Sequence, residues 1–175
     1  MEKNGIVISD SALREGAEKG MDAFLQVFID AYLKVMEGEG FDAEKMHRLN
    51  GWQHALLSYH FFRQEVLEGG FVQLIQNGFG PYIYDNPFAK AMRLMGLKEF
   101  AKMIYATKEI YDEHRADLEK DCTEEEFMAM YEQYEAFDDF EDEFISEEEE
   151  ITEQIARYVD GHIGDFAEIS QDDGE

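Results

Sequence analysis

The sequence predicts an all-α fold, a single compact multi-helix domain, and three observations predict it. Only two prolines interrupt 175 residues. Apolar side chains recur at intervals of three and four residues over long stretches, the period of a helix with one buried face. The candidate helices are bounded by capping residues at their starts and by glycine at their ends. With 45% apolar and 14% aromatic residues the chain has material for one core, at a length where about two thirds of the unfolded surface is buried.

Ile6, Val7 and Ile8 leave room only for a very short N-terminal extended segment. Ser9 to Ser11 offers N-cap oxygens to a first short helix. Met21 to Glu37 reads as the next, with Phe24, Leu25, Phe28, Ala31, Tyr32 and Val35 on its apolar side and Gly38 and Gly40 ending it. From Asp42 the chain is helical to Glu68, interrupted at Asn50 and Gly51, with Trp52, Leu56, Tyr59 and Val66 along one stripe. Gly69 and Gly70 stop that run. A short helix over Phe71 to Gln76 follows, closed by Asn77 and Gly78, which tolerate left-handed backbone.

Gly80 and Pro81 fall in a loop. Asn86 before Pro87 starts a helix, because the amide oxygen caps orphan N–H groups and proline at the first position sacrifices none. That helix ends near Gly96, and another runs from about Leu97 to Leu118 with Phe100, Ile104, Ile110 and Tyr111. Two capping boxes, Thr123 with Glu126 and Ser146 with Glu149, predict two further helices, with Phe137, Phe140 and Phe144 packing between them. The expected organisation is one helical domain over residues 1–166, its helices at 9–40 packed on the remainder because the stripe of Met21 to Glu37 needs covering. A polar acidic tail over 167–175 completes it.

Charge is the feature that bears on function. The net charge is -26, and it is unevenly placed. From Leu118 to Glu175 there are 23 Asp or Glu against only Lys120 and Arg157, a net of -21. Such a surface repels nucleic acid and anionic membrane and attracts basic proteins. No stretch approaches the 18 or so apolar residues of a membrane span, and MEKNGIVISDSALREG has no apolar run of signal-peptide length. The lone Cys122 excludes an internal disulfide, and a cytoplasmic protein is expected.

Chemistry is sparse. A di-iron bundle needs two Glu-x-x-His pairs and the chain supplies one, Glu44 to His47. His54 and His60 fall on different faces of a helix, and neither forms a zinc-site spacing with Cys122. Gly-x-Ser-x-Gly, Walker and dinucleotide motifs are absent, and Ser58, Tyr59 and His60 are helix neighbours that point apart. Asp138, Asp139, Glu141, Asp142 and Glu143 lack the central glycine and alternating ligands of an EF-hand loop. We expect no enzyme, no catalytic residue, no metal site and no cofactor.

One string is distinctive. Glu65-Val66-Leu67-Glu68-Gly69-Gly70-Phe71-Val72-Gln73-Leu74-Ile75-Gln76-Asn77 resembles the Glu-Val-x-Asn-Gly-Gly-Phe-x-Gln-x-x-x-Asn signature of the DMP-type DNA-mimic family, departing at Glu68 where asparagine is usual. Ala91 to Gly96, Phe137 to Phe144 and Ile155 to Phe166 are similar to later segments of that family, so the resemblance covers roughly residues 48 to 166. It implies an all-helical fold and an acidic surface that imitates the phosphates of duplex DNA and occupies DNA-binding proteins, such as a helix-turn-helix repressor or a histone-like protein. Glu65, Gly69, Gly70, Phe71, Gln73 and Asn77 themselves read as architecture: a sharp turn, a core aromatic, and amides free to bond loop carbonyls.

Carboxylates four apart on a helix are spaced about 6 Å along its axis, whereas DNA carries a charge per about 3.4 Å of each strand. One stripe is too sparse, so mimicry requires two acidic elements side by side, and Asp138 to Glu143 alongside Glu147 to Glu153 are the candidates. The expected partner-binding set is Asp138, Asp139, Glu141, Asp142, Glu143, Glu147, Glu148, Glu149, Glu150 and Glu153, facing the Lys and Arg of a basic DNA-binding protein. The protein itself binds neither nucleic acid nor membrane, as a monomer or homodimer. The alternative is a non-enzymatic helical interaction or immunity-like module whose acidity serves solubility.

Overall fold

A computed structural model describes residues 5–37 and 41–171. Ten α-helices and two short strands occur among the described residues: β1 (Val7–Ser9), α1 (Asp10–Lys19), α2 (Met21–Val35), α3 (Ala43–Met46), α4 (Gly51–Gln76), α5 (Gly80–Tyr84), α6 (Phe88–Leu94), α7 (Lys98–Glu119), α8 (Glu124–Gln133), α9 (Asp138–Gly161), α10 (Ile163–Phe166) and β2 (Glu168–Ser170). The all-α class is as the sequence predicts. The described residues fall into two units, one holding those up to Leu57 together with those from Thr152 onward, the other Ser58–Ile151.

In the first unit, Ser9 caps α1 by accepting from the Ala12 N–H at 3.2 Å. Gly16 lets α1 lie close against α2, since a Cβ there would stand 2.8 Å from Val27 Cγ2 and 3.0 Å from the Ala23 carbonyl. α2 buries Phe24, Leu25, Phe28, Ile29 and Tyr32; the glycines expected to end it, Gly38 and Gly40, lie outside the described residues. Its stripe is covered in part by the C-terminal segment. The Tyr32 hydroxyl donates to the Phe166 carbonyl at 2.7 Å, Gln53 Nε2 donates to the same oxygen at 3.0 Å, and the Phe28 and Phe166 rings meet edge to face. The interruption at Asn50 and Gly51 is present and is a capping box: Asn50 Oδ1 accepts from the Gln53 N–H while Gln53 Oε1 accepts from the Asn50 N–H, both at 2.8 Å.

The tail departs from expectation at Glu168–Ser170, which form β2 and pair in parallel with β1, Ile169 opposite Ile8. Polar residues flanking Ile169 make a minimal alternating strand, and the Glu168 N–H donates to the Ile6 carbonyl at 2.8 Å.

The second unit is built around Phe62, whose ring centroid lies 5.0 Å from Phe144, 5.4 Å from Phe100 and 5.6 Å from Phe71. Gly80 and Pro81 do not form a loop. They open α5, where proline is tolerated in the first turn and Tyr82, Ile83 and Tyr84 gain burial. Asn86 does not cap the next helix; its Nδ2 donates to the Tyr82 carbonyl at 3.1 Å and so closes α5, leaving Pro87 at the N-cap position of α6, with no side-chain cap. The Thr123–Glu126 capping box forms at the start of α8.

The second expected box does not form. Ser146 lies inside α9, its Oγ donating to the Glu143 carbonyl at 2.9 Å, and α9 runs unbroken from Asp138 to Gly161. Phe137, Phe144, Ile151, Ile155 and Val159 are buried at helical spacing with no glycine or proline between them. Burying that stripe outweighs a cap worth about 1 kcal/mol.

Candidate functional site

Asp138, Asp139, Asp142, Glu143, Glu149, Glu150 and Glu153 are exposed along α9, and Glu147 is partly exposed. At about 100° per residue they form two adjacent rows on its outer face. Asp138, Asp142, Glu149 and Glu153 make one row; Asp139, Glu143, Glu147 and Glu150 make the other. The two acidic segments thus lie end to end in one helix, not side by side in two, and the doubling of rows comes from the helix itself.

Glu153 pairs with Arg157 at 2.6 Å. Among the described residues no basic side chain pairs with Asp138, Asp139, Asp142, Glu143, Glu147, Glu149 or Glu150. Burial pushes the Glu143 carboxyl above its ordinary value, and the negative charges of Glu147 and of Glu99 on α7 push it the same way. Glu99, itself paired with Lys102 at 3.2 Å, thus lies near the acidic row of α9, where sequence order alone could not place it.

Two residues expected on this face turn inward from it. Glu148 is 9% exposed and accepts from Arg63 Nε at 2.6 Å. Glu141 is half-buried, and its Oε1 accepts from the Phe71 backbone N–H at 3.0 Å. Burial pushes the Glu141 carboxyl up, partly opposed by that N–H. Both sit on the stripe shared by Phe137, Phe144, Ile151 and Ile155, so helical spacing alone placed them inward.

Glu141 acts on the glycine pair. α4 breaks at Gly70, with φ 77 and ψ -171, and restarts at Phe71, whose N–H is an orphan donor at a new helix start. The Glu141 carboxylate fills the space a Cβ on Gly70 would take. Gly69 is held by a different neighbour: a Cβ there would stand 2.8 Å from Gln73 Cβ. Its carbonyl accepts from the Tyr131 hydroxyl at 2.7 Å. Gln73 Nε2 and Asn77 Nδ2 donate not to loop carbonyls but to one atom, Glu65 Oε2, at 2.9 and 2.8 Å. Of Asn77 and Gly78, only Gly78 takes left-handed backbone, with φ 89. Phe71 stacks on Phe137, centroids 5.2 Å apart. The whole string is a scaffold seating the first turn of α9.

Residues 47–162, more than half of the chain, match the family described as DMP19-like protein. The chain belongs to the DMP19-like family. The DNA mimic protein DMP19 of Neisseria meningitidis serogroup B is 28% identical to it over 150 residues, spanning 85% of this chain and 90% of that protein.

The remaining candidates of this DMP19-like chain do not converge. His54 bonds the Met46 carbonyl at 2.7 Å, with burial lowering its pKa, and Glu44 lies 3.7 Å from Arg48. Among the described residues no three His, Cys, Asp or Glu side chains gather as a metal site, and no described helix is long and apolar enough to cross a membrane.

Proposed function

We propose that this DMP19-like protein is a DNA mimic that acts by binding, presenting α9 in place of phosphates and occupying the DNA-binding surface of a basic protein, a transcription factor or a histone-like protein. The observation that carries the proposal is the charge spacing. Asp138 to Glu153 spans about 22 Å of helix axis and holds eight outward carboxylates in two rows, one per about 3 Å, against about 3.4 Å per phosphate on one DNA strand. A single row is too sparse; two rows on one helix match a strand. The name of the Neisseria relative supports the same function. The net charge of -26 keeps the protein itself off nucleic acid.

Affinity capture from lysate, at low and high salt and with or without duplex DNA, tests this. The expected result is recovery of a DNA-binding protein that either salt or DNA displaces, since exposed charge pairs are screened beyond about 10 Å at 0.1 M. A retained partner indifferent to both would overturn it and leave acidity as a solubility device.

A further inference from the structure

We propose, resting on the mimic function above, that a groove in the first unit receives an apolar side chain carried among the basic residues of the partner, and that this contact separates the cognate protein from other polycations. Ala17, Met21, Phe24 and Ala156 line the groove with apolar surface, and its volume is 260 Å³. Gly20, at φ 118, also borders it. The volume falls short of the roughly 300–1,000 Å³ typical of small-molecule sites and suits a protein side chain.

The rim fixes the charge of the occupant. Glu153, Arg157 and Asp160 of α9 border the groove, and Glu153 and Asp160 continue the row begun by Asp138 and Asp142. Arg157 is held by Glu153 in a pair exposed on both sides, the kind that contributes little and yields readily to an incoming cation. The complementary element is therefore a helix bearing a leucine-sized residue with Lys or Arg within a turn of it. Phosphate imitation attracts any polycation; an apolar contact adds affinity that salt does not screen and that a partner lacking the side chain cannot gain.

The test uses two fluorescein-labelled helical peptides with the same Lys/Arg face, one with Leu at central positions i and i+4 and one with Ala there. Each is titrated against the full chain, Ala17→Trp, and the milder filler Ala17→Met; Ala17 is exposed, so both variants fill the groove from outside the core. The leucine peptide is expected to bind wild type about tenfold tighter, Ala17→Met to shrink that preference and Ala17→Trp to abolish it, with unchanged salt slopes. Equal, salt-sensitive binding of both peptides to wild type, or a preference retained in Ala17→Trp, would overturn the groove and leave the acidic face standing. A leucine preference without salt dependence would overturn the acidic face instead, and failure of both peptides to bind would overturn both.

Discussion

Replacing Gly70 with alanine tests the coupling between the glycine pair and α9. Its backbone, at φ 77 and ψ -171, lies where only glycine is comfortable, and holding alanine there costs about 1–3 kcal/mol. The new Cβ would stand 2.7 Å from Glu141 Cδ and closer still to Oε1, so the carboxylate must withdraw from the Phe71 N–H. A part-buried donor left without its acceptor costs about 1–3 kcal/mol more. Roughly 3–4 kcal/mol is expected in total, which at an m-value of about 2 kcal/mol/M lowers the urea midpoint by about 1.5–2 M, read by far-UV circular dichroism. In a Glu141→Ala background, where the carboxylate is already gone, Gly70→Ala should cost only the backbone strain, so the two changes are less than additive. A Gly70→Ala protein within about 1 kcal/mol of wild type would refute the reasoning.

Three further outcomes are expected. Arg63→Met removes the cation paired with the Glu148 carboxylate, which is 9% exposed, and should cost about 3 kcal/mol; the double variant with Glu148→Gln should recover part of it, again by urea midpoint. Arg157→Gln removes the sole cation of α9 and releases Glu153, so a basic partner should bind about twofold tighter in fluorescence polarisation; weaker binding would count against the acidic face. The Glu141 and Glu143 carboxyls both titrate above their ordinary 4.5. Between 4.5 and those raised values the folded state holds more protons than the unfolded one, so this contribution is lost as pH rises and gained as it falls. Relative to Glu141→Gln/Glu143→Gln, wild type should therefore gain stability as pH is lowered from neutrality toward 4.5.

The helices at Asp10 and Glu124 were legible from their side-chain caps, and those at Met21 and Lys98 from apolar periodicity without one. The misreadings arose where two local signals competed. Ser146 with Glu149 has the form of a cap, but the apolar spacing that continues past it decides the structure. Asn86 has the form of an N-cap, but carbonyls at the end of α5 reach its amide first. At the site, the acidic stretch was legible as a run of residues but not as a face. The spacing from Phe137 to Ile155 already assigns Glu141 and Glu148 to the inward stripe, a signal that the run of charges does not carry. Arg63 and Glu99 were not legible, because they meet α9 only through tertiary contact.

The most direct test of phosphate imitation is displacement. The DNA-binding protein recovered by capture is bound to a labelled duplex and titrated with this protein and with the Asp138→Asn/Asp139→Asn/Asp142→Asn/Glu143→Gln variant across a range of salt. The wild-type protein is predicted to release the duplex at low salt with a steep salt dependence, and the variant to release it weakly with a shallower one. A wild-type protein that leaves the duplex bound, or a variant that displaces it equally well, would contradict the mimic.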